Sequence, residues 1–281
     1  MKIRPGADPS LYDGHNLAHH VACRCGHAEV LKTFLEFYKT NPKYHRLMDA
    51  FTNVDPVSNS LSYQNSLHIA SLLGHEDCLR VLVQYKARHL PNGMHMFPAM
   101  LAACKMHIGC LKTLLQEIKL GTVGAEVLQR EGHQSALHHL CVKTYKTNNK
   151  SIACACLLLS SGVVNINQYD DDWNIATPLY LAARNGAVSL VQYLLNMGAD
   201  PRLCGSVREY TLNNPEIKRC ADMLDDARSE PMTLLLLCKL KIRNSVLASS
   251  GSLDGVAELR LPNVLKDMIV HGHHRGVVDC R

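Results

Sequence analysis

Aromatic side chains are scarce in this sequence, at 5% of 281 residues with a single tryptophan. A core with so few rings must be built from Leu, Val, Ala, Ile, Met and Cys, which suits stacked small helices better than a β-sandwich. No apolar run approaches the roughly 18 residues that a membrane-spanning helix needs. The opening residues, MKIRPGADPS, lack the apolar stretch of a secretory leader. Charge is mild at +5, and no Lys/Arg block is dense enough for a nucleic-acid footprint. The longest basic cluster, Lys239-Leu240-Lys241-Ile242-Arg243, reads as a solvated helix face. Catalytic signatures are missing as well: there is no Gly-rich phosphate loop and no G-x-S-x-G. No histidine comes with the nucleophile and orienting acid that a catalytic role requires. The expectation is a non-catalytic binding protein with no cofactor, no membrane segment and no nucleic-acid partner.

Cysteine, by contrast, is abundant at twelve residues. Without a leader these read as reduced thiols in the cytoplasm or nucleus, packed as small hydrophobes. Two groupings resemble ligand sets. One is His19-His20 with Cys23, Cys25 and His27; the other is His271-Gly272-His273-His274 with Cys280. Neither has the spacing of a zinc finger, so no metal is expected. Cys154-Ala155-Cys156 is not a C-x-x-C redox pair.

Self-similarity organises most of the chain. The clearest copy runs from Thr177-Pro178-Leu179-Tyr180-Leu181-Ala182-Ala183-Arg184-Asn185-Gly186 into AVSLVQYLLNMGADP. Thr177 can cap a short helix that has Pro178 in its first turn. Ala182 and Ala183 permit close packing, and Gly186 turns the chain. Leu190, Val191, Leu194 and Leu195 give a second helix its apolar face, which Gly198 ends. Earlier copies begin at Leu17, Asn65, Phe97 and Ser135. Their alanine-equivalent positions are Ala22, Ala70, Ala102, Leu140 and Ala182. In the third copy Met106 stands where the turn glycine belongs, and Val142 to Lys150 look like an insertion between helices.

This pattern resembles the ankyrin repeat, whose core is T-P-L-H-x-A-A-x-x-G followed by a second helix ending in G-A-D. The resemblance implies an all-α ankyrin-repeat solenoid over residues 1–201, with repeats near 13–38, 61–88, 93–120, 131–166 and 173–201. Five repeats exceed the roughly three that a stable stack needs. His20, His68 and His138 share the histidine position, where a structural bond to neighbouring loop backbone is expected. Residues 202–230 read as a connector or degenerate capping repeat, with Ile217, Cys220, Met223 and Leu224 on the apolar side of a helix opened by Asn214-Pro215. Target contacts are expected from Asp171, Asp172 and Trp173 on one loop tip, with Tyr180 and Arg184 on the next helix. Trp173 either anchors a basic partner or folds under its own loop, leaving the aspartates merely solvated.

The C-terminal stretch 231–272 carries a second pattern, ahead of a tail at 273–281. Thr233-Leu234-x-x-x-Cys238-x-x-x-Ile242-Arg243 places Leu234, Cys238 and Ile242 along one helical face. Leu236, Leu237 and Leu240 occupy other faces, so this helix must bury more than one side. Leu259-Arg260-Leu261-Pro262-Asn263-Val264-Leu265-Lys266-Asp267-Met268-Ile269 follows, with Pro262 suited to a helix start. Order, spacing and position resemble a SOCS box, a small three-helix module. The resemblance implies that Thr233, Leu234, Cys238 and Ile242 contact elongin C, which comes with elongin B. Leu259, Leu261, Pro262, Leu265 and Ile269 would face cullin-5 and its RING subunit. Arg260 and Met268 depart from the proline and tyrosine usual in that family. Together the two resemblances imply a substrate receptor of a cullin-RING ubiquitin ligase; an ankyrin scaffold whose last helices merely cap the stack is the alternative.

Overall fold

A computed structural model describes residues 12–13, 16–52, 63–128, 134–143, 149–170, 176–229, 234–250, 253–259, 261 and 263–271. The chain falls into two compact units, Met1–Val127 and Leu128–Arg281. Among the described residues it is mostly helical, with one strand pair, β1 (Tyr12–Asp13) and β2 (Asn16–Leu17).

Among the described residues, the first unit contains three helical pairs. These are α1 (Ala18–Arg24) with α2 (Ala28–Thr40), α3 (Ser66–Leu73) with α4 (Glu76–Gln84), and α5 (Pro98–Cys104) with α6 (Ile108–Lys119). First helices stack on first helices and second on second. Ala22, Ala70 and Ala102 are buried at the crossings, where a larger side chain would hold the helices apart. Each first helix ends at a left-handed residue: Gly26 and Gly74 have φ of +73° and +79°. A Cβ on Gly74 would sit 2.6 Å from Nδ1 of His107 in the next pair, so glycine is required for the approach as well as the turn. Met106 fills the same place in the third pair at φ +56°, a conformation that costs a side-chain-bearing residue roughly 1–2 kcal/mol.

The second unit continues with α7 (Ala136–Lys143) and α8 (Asn149–Ser160), then α9 (Pro178–Arg184) and α10 (Val188–Asn196). Thr177 accepts the Tyr180 N–H at 3.2 Å and caps α9 as its residue type predicts. The next helix, α11 (Pro215–Ser229), packs against both α9 and α10 and buries Ile217, Cys220, Ala221 and Leu224. Gly186 lies against Glu216 and Ile217 as Gly74 lies against His107. Thus α11 stands where the second helix of a sixth pair would, and a 3-10 helix, Arg208–Asn213, stands in place of the first. Residues 208–229 hold a 3-10 helix and a longer helix in the order of a helical pair.

Two further helices complete this unit: α12 (Leu234–Ser250) and α13 (Asn263–His271), with a 3-10 helix Leu253–Glu258 between them. Val246, Leu253, Val256 and Ile269 form a small core of their own, with Ile242, Leu247, Leu259, Leu261 and Val270 packed around it. α13 also touches α8.

Candidate functional site

Successive residues on a helix are about 100° apart, and α12 is apolar through most of that circle. Leu240, Arg243 and Leu247 share one arc. Leu240 reaches Gly198, where an added Cβ would lie 2.6 Å from its Cδ2. Arg243 is 4% exposed; it donates through Nη2 to the Leu159 carbonyl at 2.8 Å and through Nη1 to Met197 Sδ at 3.6 Å. The opposite arc holds Leu237, Cys238, Lys241, Asn244 and Ser245, all exposed. Leu237 is 47% exposed beside the open Cys238 thiol. Leu237 and Cys238 thus form a small apolar patch at one end of an arc continued by polar Lys241, Asn244 and Ser245.

The other C-terminal residues divide between surface and support. Ile242 sits at the edge of the open arc, half-buried against the small core. Leu259 and Leu261 lie on that core, and Leu265 is half-buried. Ile269 is buried within the core, so it holds the module together and is not available as a surface contact. Thr233, Arg260, Pro262 and the Leu234 side chain lie outside the described residues.

In the repeats, the histidines at the T-P-L-H position are fully engaged with backbone. His20 accepts the Leu17 N–H at 3.3 Å on Nδ1 and donates from Nε2 to the Ala50 carbonyl at 2.9 Å. His68 does the same between the Asn65 N–H and the Met96 carbonyl. His138 accepts the Ser135 N–H and reaches the Gln168 and Ala176 carbonyls. Burial pushes His20 and His68 down to about 4, because a charged ring would be desolvated there. A second series links neighbouring pairs: His75 donates to the Arg24 carbonyl and His107 to the Leu72 carbonyl, each at 3.1 Å. Within the His19–Cys25 grouping, Cys23 is buried and donates to the Ser66 carbonyl at 3.2 Å, whereas Cys25 is exposed.

The expected target contacts separate. Asp171, Asp172 and Trp173 lie outside the described residues. Their neighbour Asp170 is buried, accepting from Gln134 Nε2 at 2.7 Å and bridging to Ala176, so the start of that acidic run is structural. Tyr180 and Arg184 come together with a residue that sequence patterns missed. Tyr210, 40% exposed on the 3-10 helix, lies under the Arg184 guanidinium at 5.1 Å. Burial raises the Tyr180 pKa, and the neighbouring Tyr210 side chain adds to the rise. Nothing periodic marks residues 208–213, and only the packing of residues 208–229 brings Tyr210 beside α9.

A family model for ankyrin repeats, in sets of three copies, matches residues 20–129 and again residues 99–203, more than half of the chain. The chain belongs to the ankyrin-repeat family. Its repeats are a protein-binding domain of the ankyrin-solenoid class. Among solved structures, the crystal structure of the human ASB11 ankyrin repeat domain is similar at 22% identity and a TM-score of 0.53. That similarity covers 76% of this chain and 85% of the other, and it bears on the fold of the repeats alone.

Proposed function

We propose that this protein is a substrate-recognition subunit of an elongin B/C–cullin-5 RING ubiquitin ligase, acting in the cytoplasm or nucleus. Its repeats hold the target, and residues 231–272, acting as a SOCS box, recruit the ligase. The observation that carries this reading is the division of α12 into a docked arc and an open arc. Leu240 and Arg243 are committed to the repeats, while Leu237 and Cys238 leave a hydrophobic strip next to the position of Leu234. Such a strip fits a partner that buries a leucine in a pocket and packs around it. Ile242 flanks the same face, and Thr233 remains a candidate contact from its sequence position. On α13 and the segment before it, Leu259, Leu261, Pro262 and Leu265 are the candidate cullin contacts.

No chemistry is required of this chain. A bound target held near a ubiquitin-charged conjugating enzyme experiences a high effective concentration of the reactive thioester, and that proximity is the contribution to rate. On the target side, Tyr180, Arg184 and Tyr210 supply aromatic and guanidinium groups of the kind that dominate interface energetics. Asp171, Asp172 and Trp173 remain candidates on the adjoining loop.

Co-expression with elongins B and C followed by size-exclusion chromatography tests the reading. A stoichiometric ternary peak is expected, lost in Leu234→Ala with Cys238→Ala while the repeats stay folded. Leu261→Ala with Pro262→Ala should weaken cullin-5 binding and spare the elongins. A lone, well-folded wild-type monomer would favour a different reading: an ankyrin scaffold capped by α12 and α13. The small core around Val246 and Ile269 gives that alternative its support.

A further inference from the structure

Arg243 is the anomaly of the second unit. A guanidinium buried to 4% exposure normally faces a carboxylate, yet among the described residues Arg243 makes no ion pair. Burial disfavours its charge and lowers its pKa, opposed in part by the nearby Tyr193 and Cys156. For packing alone, leucine or methionine would serve at lower desolvation cost. What the guanidinium adds is direction. Its two donors reach two fixed points on different repeats: the carbonyl near the end of α8 and the thioether just after α10. Hydrogen bonds weaken steeply off axis, so two of them from one planar group restrict both slide and roll of α12. Leu240 seated over Gly198 supplies a third point of contact.

We propose that Arg243 is a positioning residue that locks α12 onto the fourth and fifth helical pairs in a single orientation, so that the open Leu237–Cys238 face is held at a fixed attitude to the neighbouring repeat surface. The lock itself is a property of this chain; its use in aiming a ubiquitin-charged enzyme at a bound target rests on the function proposed above. Misplacement by a small distance at the point of transfer carries a large penalty in rate, which gives a rigid mount a purpose.

The test uses the full chain and two readouts. Hydrogen exchange on the isolated protein compares wild type with Arg243→Leu, which keeps the apolar bulk and removes both donors. Exchange in α12 should rise many-fold while α7 to α10 stay protected. An unchanged α12 would overturn the proposal. Should Arg243→Leu unfold the repeats, Arg243→Gln takes its place, because its single amide cannot serve both anchor points. Wild-type exchange in a folded Arg243→Gln protein would equally overturn the lock.

The second readout is the pattern of ubiquitin on the chain's own lysines, in a reaction reconstituted with elongins B and C, cullin-5, its RING subunit and a conjugating enzyme. Wild type should modify a narrow set of lysines. Arg243→Leu should bind the elongins equally but spread the modification, with a several-fold fall at the dominant site; an identical pattern would overturn the aiming role. Failure of wild type to bind elongins sinks the proposed function and leaves the exchange result to judge the lock by itself.

Discussion

The ankyrin repeats and the C-terminal helices solve the same problem, covering apolar helices, in opposite ways. In the repeats the inner face of each helical pair is answered from within the chain, although Val21 and Leu73 stay exposed on the outer side. Leu67, Ala70, Leu79 and Leu82 are fully buried, and even the polar histidines point inward to backbone carbonyls. In α12 one arc is answered by Gly198, Leu159 and Met197, while Leu237 and Cys238 on the other remain open. A closed surface can be read as architecture. An uncovered one, on a helix otherwise fixed, points to a partner.

The largest effect that would break this contrast comes from placing a charge on each kind of surface. Leu67→Asp should abolish soluble folded protein, because an unpaired buried carboxylate costs several kcal/mol. Leu237→Asp should leave the melting temperature within a degree or two of wild type yet eliminate elongin capture. Circular dichroism and co-purification measure the two.

Acid should also distinguish the regions. His20 and His68 titrate at about 4 when folded, below the ordinary histidine value near 6.5. Their stabilising contribution is complete above about pH 6.5. It is lost as pH falls toward 4, at up to roughly 1.4 kcal/mol per histidine per pH unit. Residues 234–270 contain no histidine. Hydrogen exchange between pH 6.5 and 4, corrected for intrinsic rates, should therefore show α1 and α3 loosening while the small core around Val246 holds. Equal loosening of both would remove histidine burial as the cause.

Smaller changes sharpen the picture further. His68→Ala removes a ring bonded to both the Asn65 N–H and the Met96 carbonyl, and should cost about 2–3 kcal/mol in urea unfolding. Met106→Gly should do the reverse. It relieves the φ of +56° and is expected to stabilise by about 1 kcal/mol, visible as a small rise in the urea midpoint.

Much of the fold is legible in the sequence because ankyrin positions carry unambiguous physical demands. Gly74 and Gly186 must turn left-handed, Thr177 must cap, and alanines must let helices approach. The departure at Met106 is legible too, as a substitution that the backbone conformation does not accommodate freely. The pair of helices over residues 208–229 is harder to read. Asn214-Pro215 announces α11, but its register depends on packing against Gly186, which no local signal encodes. Tyr210 joins Arg184 for that reason alone. The spacing of Leu234, Cys238 and Ile242 marks one face of α12, yet Ile242 turns partly toward the small core. Ile269, legible as part of an apolar stripe, belongs wholly to that core. Spacing identifies which residues share a stripe; whether the stripe faces inward or outward depends on what the tertiary fold places opposite it.

The distribution of thiols has a practical consequence. Of the eleven described cysteines, nine are buried and two are exposed: Cys25 in the first repeat and Cys238 on the open arc of α12. A brief pulse of a maleimide reagent, read by peptide mass, would alkylate these two ahead of the nine buried ones, since only an accessible thiolate reacts quickly. Any protein that seats on α12 would shield Cys238 and leave Cys25 as an internal reference, so occupancy of that helix can be followed in a crude mixture without adding a tag.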